Sequence, residues 1–486
     1  MRTADNGPGD DDPWGFAATK PSKTPPGAPG DTSEESSRLN PAPEHLAAST
    51  GSRLAAETSD TSAGNLRTRA RSLALALALV FALGFITEVV AAARFVHLLG
   101  SRGLVIIYPL GGIGLAAVAF IQITWIDHIR RDLAFIRVAL AYAAAFTVAL
   151  ILVAIPSTTV AGTGLLWLLA DQLNFLLPLI VWAIIGDLFN AGEGRLIYPW
   201  ITSWRYGGQL VGLAVPALAP LILVPLGVPL PTILIACPIG LVVLAIVLPR
   251  SLKGRAIGQG TAQVESHREA IASAWTFVNG VKAFKAMFIT SLMAFIAGMS
   301  LEGSFLIAAD KHQGSEARLQ ILYGLTLLTV FAICWLLQRF VVTTLMERLD
   351  IPGSLAILPI AVVAGGMILI LGVSTSVLPM VIVGVVAWRV PWWSIDDVAR
   401  RAALSLVPDE RRARVSFIVD LIPFAAGLIV AGGVMALTTG LSLPVLAPIL
   451  AVIFGIVAIP TSRLMMRTWQ DALLNPQLRR RKRLSD

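Results

Sequence analysis

The sequence predicts an all-α membrane protein of about twelve transmembrane helices, arranged as two pseudo-symmetric six-helix bundles. Three observations carry this reading. Of 486 residues, 56% are hydrophobic and only 14% are charged, and mean hydropathy is +0.75, whereas a soluble domain carries about 25% charged residues. The apolar residues gather in runs of about 20, the helical length that crosses ~30 Å of hydrocarbon. Lys and Arg concentrate in alternate loops, as they do in cytoplasmic loops of membrane proteins.

Taken in order, the runs place spans 1 to 6 at 72–96, 103–126, 134–155, 163–186, 206–226 and 231–249. Spans 7 to 12 fall at 284–308, 319–343, 353–373, 377–395, 415–437 and 442–462. Residues 1–66 are rich in Pro, Gly, Ser, Thr, Asp and Glu. Such a segment cannot bury enough apolar surface to offset its chain entropy, so it is expected to be a disordered tail. No apolar core follows a basic start at Met1, so it is not read as a signal peptide. Residues 67–250 then form the first bundle, 251–283 a cytoplasmic linker, 284–465 the second bundle, and 466–486 a basic tail. Within the linker, 266–280 reads as a surface helix carrying Trp275 and Phe277.

Loop charge orients the chain. Arg67, Arg69 and Arg71 precede span 1, Arg130 and Arg131 follow span 2, and Arg195 and Arg205 follow span 4. Basic residues also fill the linker, Arg348 follows span 8, and Arg400, Arg401, Arg411, Arg412 and Arg414 follow span 10. The alternate loops 155–164, 225–232, 372–378 and 438–444 hold no Lys or Arg. Both termini are therefore expected in the cytoplasm, with an even number of spans in a plasma (bacterial inner) membrane.

The two halves show an internal repeat. Phe81, Gly84 and Glu88 of span 1 match Phe295, Gly298 and Glu302 of span 7, and Tyr108 and Tyr323 follow at nearly matching offsets. Paired repeats of this kind place a site between them.

Ionisable residues inside a span are costly and usually face a cavity or a partner. The candidates are Glu88 and Arg94 on span 1, Asp171, Gln172 and Asn174 on span 4, Glu302 on span 7 and Arg389 on span 10. They occupy the first helix of each successive three-helix unit. A structural ion pair, such as Glu88 with Arg94, is the bland alternative. Arg389 precedes the kink-prone Pro391, and Arg suits an anionic group with the carboxylates as proton carriers or gates.

Other functions lack their parts. The net charge of +8 and pI near 9.9 come from loop residues, so no nucleic-acid partner is expected. Cys237 and Cys334 lie singly in apolar runs and indicate neither a metal site nor a disulfide. The glycine runs at 111–114 and 207–212 follow no strand, so neither is a Rossmann loop; Gly208 with Gly212, and Gly427 with Ala431, read as helix packing. No Walker, HExxH or GxSxG motif occurs, so neither an enzyme nor a nucleotide cofactor is expected. Trp200, Trp204, Trp392 and Trp393 read as interfacial belt anchors.

The two-halves plan resembles the major facilitator superfamily. Within it, residues 335–359, with Gln338, Arg348 and Pro359, are similar to a passage of the ATP/ADP translocase family and its bacterial relatives. So are 403–420, a basic loop leading into Asp420, and 186–195 with Asp187. The lysines that such exchangers carry within the membrane are absent here. The resemblance implies a secondary transporter of a small, anionic or nucleotide-like solute, working by alternating access among membrane lipids. It adds Asp420 to the substrate candidates. Arg130, Arg131, Asp187, Arg348, Asp397 and Arg400 are the expected gate residues. The rivals are a lipid or drug exporter of the same superfamily, and a non-transporting scaffold or sensor whose N-terminal tail recruits a protein partner.

Overall fold

A computed structural model describes residues 44–125, 129–189, 191–254, 267–407 and 414–474, and among these it contains helices and no strand. By internal contact the chain divides into Met1–Ser59 and Asp60–Asp486, and every membrane-length helix lies in the second unit. Residues 1–43 of the expected disordered tail lie outside the described residues, and the chain is helical from Glu44.

Twelve helices are long and apolar enough to cross a bilayer. Spans 1 to 6 are Gly64–Leu99, Ser101–Val118, Arg131–Ala154, Pro156–Leu188, Trp200–Leu223 and Leu230–Ser251. Spans 7 to 12 are Lys282–Gln313, Glu316–Phe340, Ile357–Thr375, Leu378–Ser405, Arg414–Gly440 and Leu446–Leu473. Both halves therefore begin and end on one face, which also carries the basic loops.

Burial of apolar side chains does not drive helices together in lipid, because the tails are as apolar as they are. Association relies instead on close backbone approach, and small residues supply it. A Cβ on Gly208 of span 5 would sit 2.0 Å from the Ala78 carbonyl oxygen of span 1, and one on Gly212 would sit 2.7 Å from Ala82 Cα. In the second half, a Cβ on Gly427 of span 11 would meet Phe295 of span 7 at 2.9 Å. Span 3 packs on spans 4 and 6, and span 9 on spans 10 and 12. Each half is thus the same arrangement of helices.

The repeat also holds residue by residue. Gly84 abuts Asn174 of span 4, and Gly298 abuts Trp388 of span 10, at one common offset (298 − 84 = 388 − 174 = 214). Gly100 and Gly314 have the same spacing (314 − 100 = 214). They end spans 1 and 7 with φ of +58° and +63°, the left-handed conformation that glycine adopts without a Cβ clash. Ser315 then accepts from the Arg318 backbone N–H at 3.4 Å and starts span 8.

Two seams join the halves, spans 2 with 11 and 5 with 8. Gly112 lies against the Ala425 carbonyl and Gly432 against Pro109. Gly324 meets Ala217, and Gln320 donates from Nε2 to the Pro216 carbonyl at 2.7 Å.

Several boundaries differ from the sequence reading, each for a local reason. Span 5 begins at Trp200, so Arg205 lies within a helix and is buried rather than in a loop. Span 10 continues past Pro391 through a π-helical turn at Trp392–Asp396 to Ser405. Asp397, Arg400 and Arg401 are therefore helical, with Arg400 buried. Hydropathy started span 5 late and ended span 10 early because their charges pair with one another instead of meeting water. Trp392 and Trp393 face inward, not toward an interfacial belt: Trp392 is 9% exposed and stacks on Trp388 at 5.4 Å. The linker forms the helix His267–Gly280, on which Phe277 is buried and Trp275 is exposed. The last residues of the C-terminal tail, 475–486, lie outside the described residues, as do Arg411 and Arg412.

Gly208→Val should lower stability by about 1–3 kcal/mol through overpacking. Gly433→Val, where nothing lies within 4 Å, should leave it unchanged. Thermal unfolding of both variants in detergent checks this.

Candidate functional site

Span 1 sets the order of the layers, because its side chains climb 1.5 Å per residue through the molecule. Phe85, Glu88, Arg94 and His97 follow one another toward the face opposite the basic loops. Each meets a different partner.

Glu88 occupies the middle. Asn174 Nδ2 donates to its Oε2 at 3.2 Å, and it stands within electrostatic reach of Glu302 and Arg389 of the other half. Asp171, one turn from Asn174, lies within reach of Glu88 and Arg389. Across the pseudo-axis, Arg389 Nε lies 2.9 Å from Glu302 Oε2, with both side chains buried. Tyr108 and Tyr323 also come within reach of Glu302 and Arg389. Tyr108 Oη is buried and has no hydrogen-bond partner among the described residues. Placing a charge at this depth costs roughly 2.5–3.5 kcal/mol. The Glu302–Arg389 pair offsets that cost for two charges, whereas Glu88 has a neutral amide.

On the side of the basic loops the polar centre is capped by aromatic rings. Phe85 meets Phe331 of span 8 at 5.1 Å, and Phe175 of span 4 meets Phe424 of span 11 at 5.5 Å. Both contacts cross between the halves. Phe331, Trp393, Trp392, Phe295 and Phe424 continue the layer with centroid separations of 4.8 to 5.8 Å.

Beneath this layer sits a charge network. Arg205 of span 5 lies 3.9 Å from Asp397 of span 10, an ion pair that joins the halves, and stacks over Phe81 at 4.8 Å. Arg400 pairs with Asp396, lies 3.5 Å from Asp420 and donates to Ser291 at 2.8 Å. Its guanidinium stacks over Phe295 at 4.9 Å, so both repeat phenylalanines carry an arginine. Arg401 lies 3.1 Å from Asp397.

At the opposite face, Arg94 lies 3.1 Å from Glu316 of span 8, and His97 Nδ1 lies 2.9 Å from Asp310 of span 7. Both contacts again join the halves. The polar centre is therefore bridged at both ends.

Of the substrate candidates read from sequence, the structure brings Glu88, Asp171, Asn174, Glu302 and Arg389 together. Arg94 belongs to the opposite-face bridge and does not pair with Glu88. Gln172 packs against Gly114 of span 2. Asp420 joins the Arg400 network and accepts from Ser416 at 2.9 Å. Among the gate candidates, Asp397 and Arg400 sit in that network. Arg131 pairs with Asp187 inside the first half, Arg130 pairs with nearby Asp132, and Arg348 is exposed. Arg205, Asp396 and Trp388 were not among those candidates. The repeat register signals Trp388, which stands where the first half has Asn174; Arg205 was hidden by the early loop boundary.

Glu302→Leu should leave Arg389 buried without its 2.9 Å ion-pair partner and cost about 3–5 kcal/mol, while Glu302→Leu combined with Arg389→Met should recover much of that stability. A double-mutant cycle of thermal unfolding reads the coupling.

No family model and no curated protein sequence matches the chain. Solved structures do. A point mutant of the nucleoside transporter NupG superposes with a TM-score of 0.58 at 16% identity, covering 83% of this chain and 100% of that one. A bacterial homologue of the human lysosomal transporter Spinster, inward-facing and unoccupied, gives 0.56 at 16% identity over 84% and 99%. A bacterial homologue of the iron transporter ferroportin, inward-facing, gives 0.57 at 15% identity over 82% and 98%. Coverage of 98–100% of those chains, with twelve membrane-length helices here, establishes that this chain has the major facilitator fold.

Proposed function

We propose that the chain is a secondary active transporter, in a plasma membrane with both termini in the cytoplasm, that moves a small polar solute by alternating access. The observation that carries the proposal is the vertical order of contacts. A polar centre drawn from spans 1, 2, 4, 7, 8 and 10 lies between two sets of bridges, and each set joins one half to the other. If the halves rock about the centre, Arg205–Asp397 and the Phe85–Phe331 contact part together, or Arg94–Glu316 and His97–Asp310 do. Few contacts need to break at either end, since the seams are built from small residues that slide past one another.

The anionic, nucleotide-like solute implied by the family resemblance bears on Arg389. An acidic group reaching that guanidinium has to displace Glu302 from a 2.9 Å contact, which protonation of Glu302 would permit. Coupling to protons is thus part of the proposal. Asp397 and Arg400 act as gate residues with Arg205, whereas Arg131 and Asp187 brace the first half.

Spin labels at the exposed positions Arg102 and Lys311 report the opposite face, and labels at Ser203 and Arg339 report the basic-loop face. Alternating access predicts that the two distances change in opposite senses when pH or solute is varied. Distances that stay fixed under every condition, or lengthen together, would sink the proposal.

A further inference from the structure

We propose that the transported solute carries a cationic amine, held between the Glu88 and Asp171 carboxylates of the first half and exchanged for protons. This rests on the transporter reading above and names the chemistry of its cargo.

The argument is a balance of charge at one depth. The centre contains three carboxylates, Glu88, Asp171 and Glu302, and one guanidinium, Arg389. Arg389 and Glu302 neutralise each other across 2.9 Å. Other arginines that could serve the first half are engaged elsewhere: Arg94 with Glu316, and Arg205 with Asp397 and the Phe81 ring. With all carboxylates ionised, the centre therefore holds two formal negative charges, both on spans 1 and 4. In a low-dielectric interior such charges need counter-charges. One amine cation and one proton supply them; so do two protons when the solute is gone. That difference is an exchange of cation for proton.

A second observation points to a ligand rather than to acid residues alone. Tyr108 is 5% exposed, its hydroxyl has no hydrogen-bond partner among the described residues, and it stands within electrostatic reach of Asp171, Glu302 and Arg389. A buried hydroxyl without a partner is uncommon because it forfeits its hydration. An ammonium donates two or three hydrogen bonds from a single nitrogen, so it can serve a carboxylate and this hydroxyl at once. The ring of Tyr108, edge-on to Trp167 at 6.3 Å, and the buried ring of Tyr323 favour an organic cation with an apolar body. A metal ion fits less well, because among the described residues no three His, Cys, Asp or Glu side chains converge as ligands.

The charged and titratable groups within electrostatic reach of Glu88 are Asp171 on span 4, Glu302 on span 7, Arg389 on span 10 and the Tyr323 hydroxyl on span 8, while the Tyr108 hydroxyl on span 2 reaches Asp171, Glu302 and Arg389. Lowering the pH adds protons to the carboxylates of this set. Cation binding should accordingly weaken as pH falls.

The test uses three probes with one ring and three head groups: benzylammonium, benzoate and benzyl alcohol. Thermal unfolding of the full chain in detergent is followed against probe concentration. Benzylammonium is expected to stabilise the protein more than the other two, and less so at lower pH. Its apparent affinity should fall about tenfold or more in Glu88→Gln and in Asp171→Asn, and hold in Lys285→Gln, an exposed charge on the basic-loop face. Should the site variants fail to fold, addition of benzylammonium to the weakly buffered wild-type protein serves instead, and is expected to acidify the solution. Benzoate stabilising as strongly as benzylammonium, stabilisation by none of the probes, or binding without proton release overturns the proposal. Opposed spin-label distances in that event would leave the transporter reading standing.

Discussion

The ion pairs buried among the spans answer to one constraint: a charge placed among membrane-spanning helices needs a counter-charge, because hydrocarbon offers none. The arrangement of partners follows from it. Arg389 takes Glu302 within its own half. Arg94, His97 and Arg205 take partners from the other half. The first kind of pair holds whatever the halves do. The second kind depends on the halves meeting at that end, so under the proposed alternating access the same electrostatic need that stabilises a closed end defines what opening would break.

Steric fit separates contacts inside a half from contacts between the halves. Gly208 and Gly212 bring span 5 into backbone contact with span 1, and Gly427 does the same for spans 11 and 7. These contacts lie inside a half and would clash with any added Cβ, which suits the proposed movement of each half as a body. Between halves, Gly112, Gly324 and Gly432 again remove side chains, but there they leave smooth surfaces at the seams. Rings fill what remains. The Phe85–Phe331 and Phe175–Phe424 contacts are less demanding in geometry than the carboxylate–guanidinium pairs above and below them, which suits the proposed movement between the halves.

The repeat explains why the centre is asymmetric. Duplication keeps Gly84 and Gly298, Glu88 and Glu302, and Gly100 and Gly314 in one register. It places Asn174 and Trp388 at equivalent positions, yet these residues differ, and the neighbour of Trp388 is Arg389. A glutamate that faces an amide in one half therefore faces a guanidinium in the other. Two copies of one backbone plan have become an acidic half and a neutral half.

Hydropathy and loop charge by themselves determined the solvent, the twelve spans and the division into six and six, because the length of a lipid-crossing helix and the cost of an unpaired backbone group are properties of the bilayer, not of the fold. The repeat was legible for the same kind of reason: Phe81, Gly84 and Glu88 recur in register along single helices. Pairing was not legible. Glu88 and Arg94 are neighbours in sequence, but Arg94 reaches Glu316, 222 residues away, and Glu88 takes Asn174. Arg205, Asp397 and Arg400 look like loop charges until the network around them is seen, since a charge that is satisfied inside a bundle carries the same letter as one in water. Which charges meet depends on which helix faces stand opposite each other, and only the packing of the two halves decided that.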